Sequence, residues 1–267
     1  FNNINPELGG QFKQMADLGL LDLESRKGKA PGGYQETLAE ARKPFIFANS
    51  VGTYYDVLTL MHEAGHAFHI LACAEQPLYP YRDPPTEFAE VASMSMEFFS
   101  LPNMSVFYSD EDAKRSCIKQ FEGVIKTLVG VAAVDSFQHW IYENPECDVK
   151  ELARKYFQIY KRFSGNGVDL SGLEKKVGYG WHGILHIFEC PFYYIEYGIA
   201  QLGALGLWLQ SKKDFDGALA NYRKALALGG SRPLPELFAA AGLKFDFSKK
   251  AIAPLVDAVM QELARLR

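Results

Sequence analysis

No stretch of this chain is apolar for long enough to cross a bilayer. The longest apolar run, Gly198 to Leu209, carries Gln201 and falls well short of the roughly 20 residues a membrane helix needs. It reads as a buried helix, and no membrane partner is expected. No basic stripe recurs either. The 28 Lys+Arg are balanced by 32 Asp+Glu for a net charge of -4, which argues against nucleic acid as a partner. Cysteine is sparse, with Cys73, Cys117, Cys147 and Cys190 scattered and no Cys-x-x-Cys pair. That excludes a disulfide scaffold and predicts isolated buried thiols in a reduced, cytoplasmic compartment. No secretory signal stands at the start, where the chain opens at Phe1 without Met in an Asn/Pro-rich stretch. The glycine-rich segment Gly178-Tyr179-Gly180-Trp181-His182-Gly183 lacks a following Lys-Ser or Lys-Thr, so it is not a phosphate loop. It reads instead as an aromatic turn able to close over a ligand.

Histidine is scarce too, with 6 in 267 residues, so the place where two of them fall close together carries weight. Leu60-Met61-His62-Glu63-Ala64-Gly65-His66 contains His-Glu-x-x-His. On a helix, His62 and His66 lie roughly 40° apart around the axis and one turn from each other, so one ion can be reached by both rings. Glu63 sits about 100° round from His62, beside such an ion and not on it. A carboxylate there can take a proton from a water without displacing it. The pattern also arises by chance, so its setting decides. Tyr55 to Cys73 repeats apolar residues at helical spacing (Leu58, Met61, Gly65, Phe68, Ala72). Catalytic zinc takes three protein ligands and keeps one position open. Glu87-Phe88-Ala89-Glu90, at the start of the next apolar-periodic segment, offers the third, and Glu90 is the better placed.

The rest of the chain reads as mainly helical. Residues 12–23 are too irregular to assign, and Arg26 to Gly33 is a loop on composition. Pro44 to Asn49 reads as a strand. It serves either as a supporting edge strand or, through unpaired backbone groups, as a template for an extended peptide. Thr53 or Ser50 caps the helix of the motif. Prolines 77, 80, 84 and 85 force a loop, after which Thr86 caps a helix reaching about Leu101. Glu97 lies two turns beyond Glu90 and either hydrogen-bonds a liganding histidine or is a solvated carboxylate. His69, a turn past His66, has the same ambiguity between packing and support. Ser109-Asp110-Glu111-Asp112 opens a long helix ending before Pro145, and His139 within it reads as structural. Val149 to Phe163 is a helix stopped by Gly165-Asn166-Gly167. Residues 214–228 show a single helical-repeat-like copy, which excludes an array. Asp246 to Arg267 is a final helix.

The stretches His62 to His69 (His-Glu-Ala-Gly-His-Ala-Phe-His) and Phe88 to Ser93 (Phe-Ala-Glu-Val-Ala-Ser) resemble the M3 family of metallopeptidases, in its oligoendopeptidase F branch. Pro44 to Asn49 with Gly52-Thr53, and His186 to Glu189 with Pro191 to Gly198, agree with the same branch and keep its order. The resemblance implies a helical zincin-like catalytic domain over 1–267 with a small sheet at the cleft. It implies one Zn²⁺ per chain on His62, His66 and Glu90, with Glu63 as general base. It assigns His186, Tyr194 and Tyr197 to stabilising the oxyanion. On a helix the two tyrosines, three apart, would point their hydroxyls the same way. Residues Phe45, Phe47, Ala48, Asn49 and Gly52 are assigned to holding short peptide substrates. Family members carry a long helical region ahead of this part, so the chain is expected to be a catalytic part whose missing N-terminal half is a candidate partner. A zinc- and peptide-binding fragment, inactive without that half, is the competing expectation.

Overall fold

The computed structural model describes residues 1–165 and 167–267. It resolves into two compact units, Phe1–Phe121 with Ala200–Arg267, and Glu122–Ile199.

The first unit opens with helix α1 (Pro6–Asp17). Asn5 caps it, its side-chain oxygen accepting from the Glu7 and Leu8 amides at 2.9 and 3.2 Å. The irregular pattern over 12–23 has a simple cause: the helix ends at Asp17 and strand β1 (Leu21–Glu24) follows within the same window. Strands β2 (Tyr34–Leu38) and β3 (Lys43–Ser50) complete a three-stranded sheet in the order β1-β3-β2. β3 runs parallel to β1 and antiparallel to β2. This corrects the expectation of unpaired backbone groups on 44–49. β3 is the central strand, both its neighbours are in place, and an added peptide strand would have to pair with an outer strand instead.

The loop between β1 and β2 is fastened from inside. Lys29, with its side chain 1% exposed, forms an ion pair with Asp22 at 3.0 Å. It donates to the Asp22 and Glu24 carbonyls, each at 2.9 Å, and to that of Ala48. Its ammonium lies 4.4 Å from the centre of the Phe47 ring. A buried ammonium without such partners would be costly; here it ties the glycine-rich loop to β1 and β3. Hydrogen bonds from Arg26 and Lys29 hold the Asp22 carboxyl down at about 2.

Helix α2 (Tyr54–Cys73) starts at Thr53, with the Asp56 carboxylate accepting from the Thr53 and Val51 amides. After a short helical turn at Tyr79–Arg82, α3 spans Thr86–Ser100. Its capping position falls on Pro85, so Thr86 is the first helical residue. Helix α4 (Asp110–Glu143) begins in the first unit and continues into the second. The second unit also holds α5 (Val149–Ser164), α6 (Glu174–Gly178) and α7 (His186–Glu189). Gly165 ends α5 at φ 68°; Asn166 of the expected stop lies outside the described residues. Helix α8 (Ile195–Ser211) leads back, followed by α9 (Phe215–Leu226), α10 (Leu234–Ala240) and α11 (Lys249–Leu266). No helix among the described residues is long and apolar enough to cross a membrane.

Aromatic residues dominate the first unit's core, with Phe98 against Phe121 and Trp208, and Phe99 against Tyr222. The second unit has its own core around Phe137, Tyr156, Trp181 and Ile187. Each such side chain contributes about 1.5–3 kcal/mol when fully buried. The expectation of buried thiols holds for Cys73 alone. Cys117 and Cys147 are half-buried and Cys190 is exposed, and all four are free.

Candidate metal centre

The repeat of α2 places His62, Glu63 and His66 on neighbouring turns, but a third ligand requires a second helix close by. Gly65 makes that possible. A Cβ at Gly65 would stand 2.5 Å from the Ser93 Cα and 2.7 Å from the Ala92 carbonyl oxygen. The α2 and α3 backbones therefore touch at this point, and only glycine permits it. The buried Tyr222 hydroxyl donates to the same Ala92 carbonyl at 2.9 Å and ties α9 to α3.

This crossing brings His62, His66 and Glu90 together, with one ligand atom of each within 4.8 Å of the others. The Glu90 carboxylate lies 3.3 Å from His62 Nε2 and 3.8 Å from His66 Nε2. Metal–ligand bonds of about 2.0–2.1 Å at tetrahedral angles set neighbouring ligand atoms about 3.3 Å apart. The donor set of two imidazoles and one carboxylate therefore fits a zinc-sized ion. Ser93 Oγ lies 3.0 Å from both the Glu90 carboxylate and the Glu90 carbonyl and shares its one proton between them.

Behind the ligands, Glu97 accepts a hydrogen bond from His62 Nδ1 at 2.7 Å and is itself buried. That hydrogen bond selects the tautomer whose Nε2 lone pair is free for an ion. His69 differs. Both its ring nitrogens are buried without a hydrogen-bond partner among the described residues, and the ring packs edge-on against Phe88. It thus makes no hydrogen bond to a ligand and serves as packing.

Charge is finely divided here. Burial opposes a proton on His62, but hydrogen bonds to Glu90 and Glu97 outweigh it and raise this imidazole well above its ordinary range. Burial and the neighbouring His62 charge push His66 down to about 4. Burial alone would raise Glu90; the hydrogen bond from His62 and the charge of His66 leave it lowered. Glu63, 7% exposed, is raised chiefly by burial, against the opposing pull of His62 and the Gln35 backbone amide. A carboxylate kept from full solvation is a stronger proton acceptor, as a general base requires.

The Gln35 amide belongs to β2, an outer strand that the sequence reading did not assign. Its burial alternates along Tyr34–Leu38, but the apolar Tyr34 and Leu38 fall on the exposed positions, so the sequence carries no apolar-in alternation to announce it. Of the residues expected to bind peptide, Phe47 is half-buried beneath Tyr34, their rings stacked at 5.0 Å. Ala48 is buried. Asn49 donates to the Ala30 and Gly32 carbonyls at 2.7 and 2.9 Å. Phe45 is half-buried on β3, and Gly52 lies exposed beyond its end at φ 88°.

In the second unit, His186 on α7 gathers the tyrosines. Its Nε2 is 3.3 Å from the Tyr197 hydroxyl, and its ring meets Tyr194 edge-on at 5.1 Å. Tyr194 precedes α8 instead of lying on it. The expected same-face helical pair is therefore replaced by edge-to-face rings 5.6 Å apart. Tyr194 also packs against the second unit's core. His139 is an exposed neighbour of Asp135 and Phe192.

The profile of peptidase family M3 matches residues 7–255. Oligopeptidase PepF of Bacillus subtilis (strain 168) is 26% identical over 247 residues, covering 88% of this chain and 36% of that protein. An oligoendopeptidase F homolog of Borreliella burgdorferi is 28% identical over 91% of this chain and 42% of its own length. Among solved structures, PZ peptidase A with an inhibitor superposes with a TM-score of 0.88 at 33% identity, covering 99% of this chain and 47% of that one. The chain thus spans less than half the length of these relatives.

Proposed function

Because the chain belongs to peptidase family M3, we propose that it is a zinc-dependent endopeptidase domain acting on short peptides. The observation that carries this reading is the convergence of His62, His66 and Glu90 with the buried Glu63 carboxylate beside them. Zinc held by those three side chains supplies a Lewis acid that makes a water acidic enough to attack near neutral pH. Glu63 takes the proton from the attacking water and returns it to the leaving amine. Its raised affinity for a proton suits both halves of that task. The outer edge of β2, whose Gln35 amide reaches Glu63, takes the peptide as an added strand, which gives affinity without demanding particular side chains. His186, Tyr194 and Tyr197 are proposed as donors to the carbonyl oxygen as it gains charge. Residues 1–267 are proposed to work as one catalytic domain.

The share of the relatives that the chain spans, 36% and 42% of two of them, favours a second reading. Under it, the chain binds zinc and peptide but turns over only with further polypeptide. One experiment separates the two. Zinc-loaded wild type and Glu63→Gln are compared on a short internally quenched peptide, with metal content measured in parallel. The first reading expects cleavage by wild type, and a loss of about 10²–10⁴-fold in Glu63→Gln with its zinc retained. Zinc binding without wild-type cleavage supports the second reading. Equal cleavage by the two proteins would sink the assignment of Glu63.

A further inference from the structure

The support of His62 does not end at Glu97. The second oxygen of Glu97 accepts a hydrogen bond from the Gln120 side-chain amide on α4, at 2.5 Å. Gln120 and Glu97 are both buried, 7% and 9% exposed. An ionised carboxylate only accepts, so His62 Nδ1 must carry the proton of its bond, and Gln120 must present nitrogen and not oxygen. With both oxygens engaged, the plane of Glu97 is fixed, and with it the rotation of the His62 ring. We propose that Gln120 is a positioning residue for the metal centre, locking His62 through Glu97. The inference rests on reading His62, His66 and Glu90 as a metal site.

The residue type fits the task. A carboxylate at 120 would oppose Glu97 with like charge and force the two to share a proton. A lysine would compete with His62 for the negative charge of Glu97. A neutral amide supplies one donor and leaves that charge directed at the imidazole. Burial alone does not explain the contact. Gln138, farther along the same helix, is fully buried, yet both its amide atoms lack a hydrogen-bond partner among the described residues.

The test uses the full chain. Zinc affinity is measured by chelator competition for wild type, Gln120→Leu, Glu97→Gln, the double variant, and Gln138→Leu as a control. The visible absorption of the cobalt-substituted proteins reports ligand geometry. Gln120→Leu is expected to weaken zinc binding about tenfold, as loss of an outer support does, and to alter the cobalt band. The double variant should bind no more weakly than Glu97→Gln alone, since both changes cut one chain of contacts. Gln138→Leu should leave affinity and spectrum unchanged. Should Gln120→Leu fail to fold, Gln120→Glu, of nearly the same shape, is expected to show the same spectral change. Wild-type affinity and spectrum in a folded Gln120 variant, or additive losses in the double variant, would overturn the proposal. Wild type that binds no zinc would overturn the metal reading beneath it, which is a distinct result.

Discussion

His62 is the residue on which the site's chemistry turns, because each of its two ring nitrogens faces a different buried carboxylate. In the metal-free chain Glu90 and Glu97 hold it charged, whereas His66 is driven neutral by burial and by that same charge. A metal ligand must be neutral imidazole, so zinc can enter only as His62 gives up a proton. His66 and Glu90 are already in their binding forms near neutral pH. Zinc uptake between pH 6 and 8 should therefore release about one proton from the protein, and zinc affinity should fall as pH falls. Calorimetric titration in two buffers of different ionisation enthalpy measures this directly. Identical heats in the two buffers would contradict it.

The two helices α2 and α3 form one device, and Gly65 is its fulcrum. Because a Cβ there would overlap the α3 backbone, Gly65→Ala must push the helices apart and carry Glu90 away from the histidines. Overpacking at a close contact costs about 1–3 kcal/mol. We expect Gly65→Ala to fold less stably and to bind zinc far more weakly than wild type. Denaturant unfolding with zinc titration gives both numbers, and undiminished affinity would mean that the crossing is looser than the contact implies. The sheet is a second such device. Lys29 and Asn49 tie the loop after β1 to β3, and this loop feeds directly into β2, which carries the Gln35 amide that acts on Glu63.

At the scale of the whole chain, the three proposed metal ligands all lie in the unit built from Phe1–Phe121 and Ala200–Arg267. A ligand that binds only the folded form stabilises it, by about 4 kcal/mol at a thousandfold excess over Kd. Of the three tryptophans, Trp208 belongs to that unit and Trp140 and Trp181 to the other. In a variant with Trp140 and Trp181 replaced by Phe, the thermal midpoint read through Trp208 should rise with zinc and drop on adding a chelator. A midpoint indifferent to both would show that zinc is not held in this unit.

Much of this protein was settled by short-range order in its sequence. The spacing of His62, Glu63 and His66 needs only the pitch of one helix, and the apolar period of residues 55–73 names that helix. Prolines 77, 80, 84 and 85 break the chain where it must turn back, and Glu90 follows within the next helical segment. Other features had no local signal. Which strand of the sheet is central depends on pairings between segments far apart, so 44–49 could be named a strand but not an inner one. Tyr194 falls outside its helix because α8 starts one residue later, and spacing alone does not fix a helix boundary to the residue. Gln120 meets Glu97 from 23 residues away, on a helix whose period gives no reason to single it out. Hydrogen-bond partners of buried polar groups are fixed by where helices cross, and a crossing, unlike a helical turn, is not written in any one stretch of sequence.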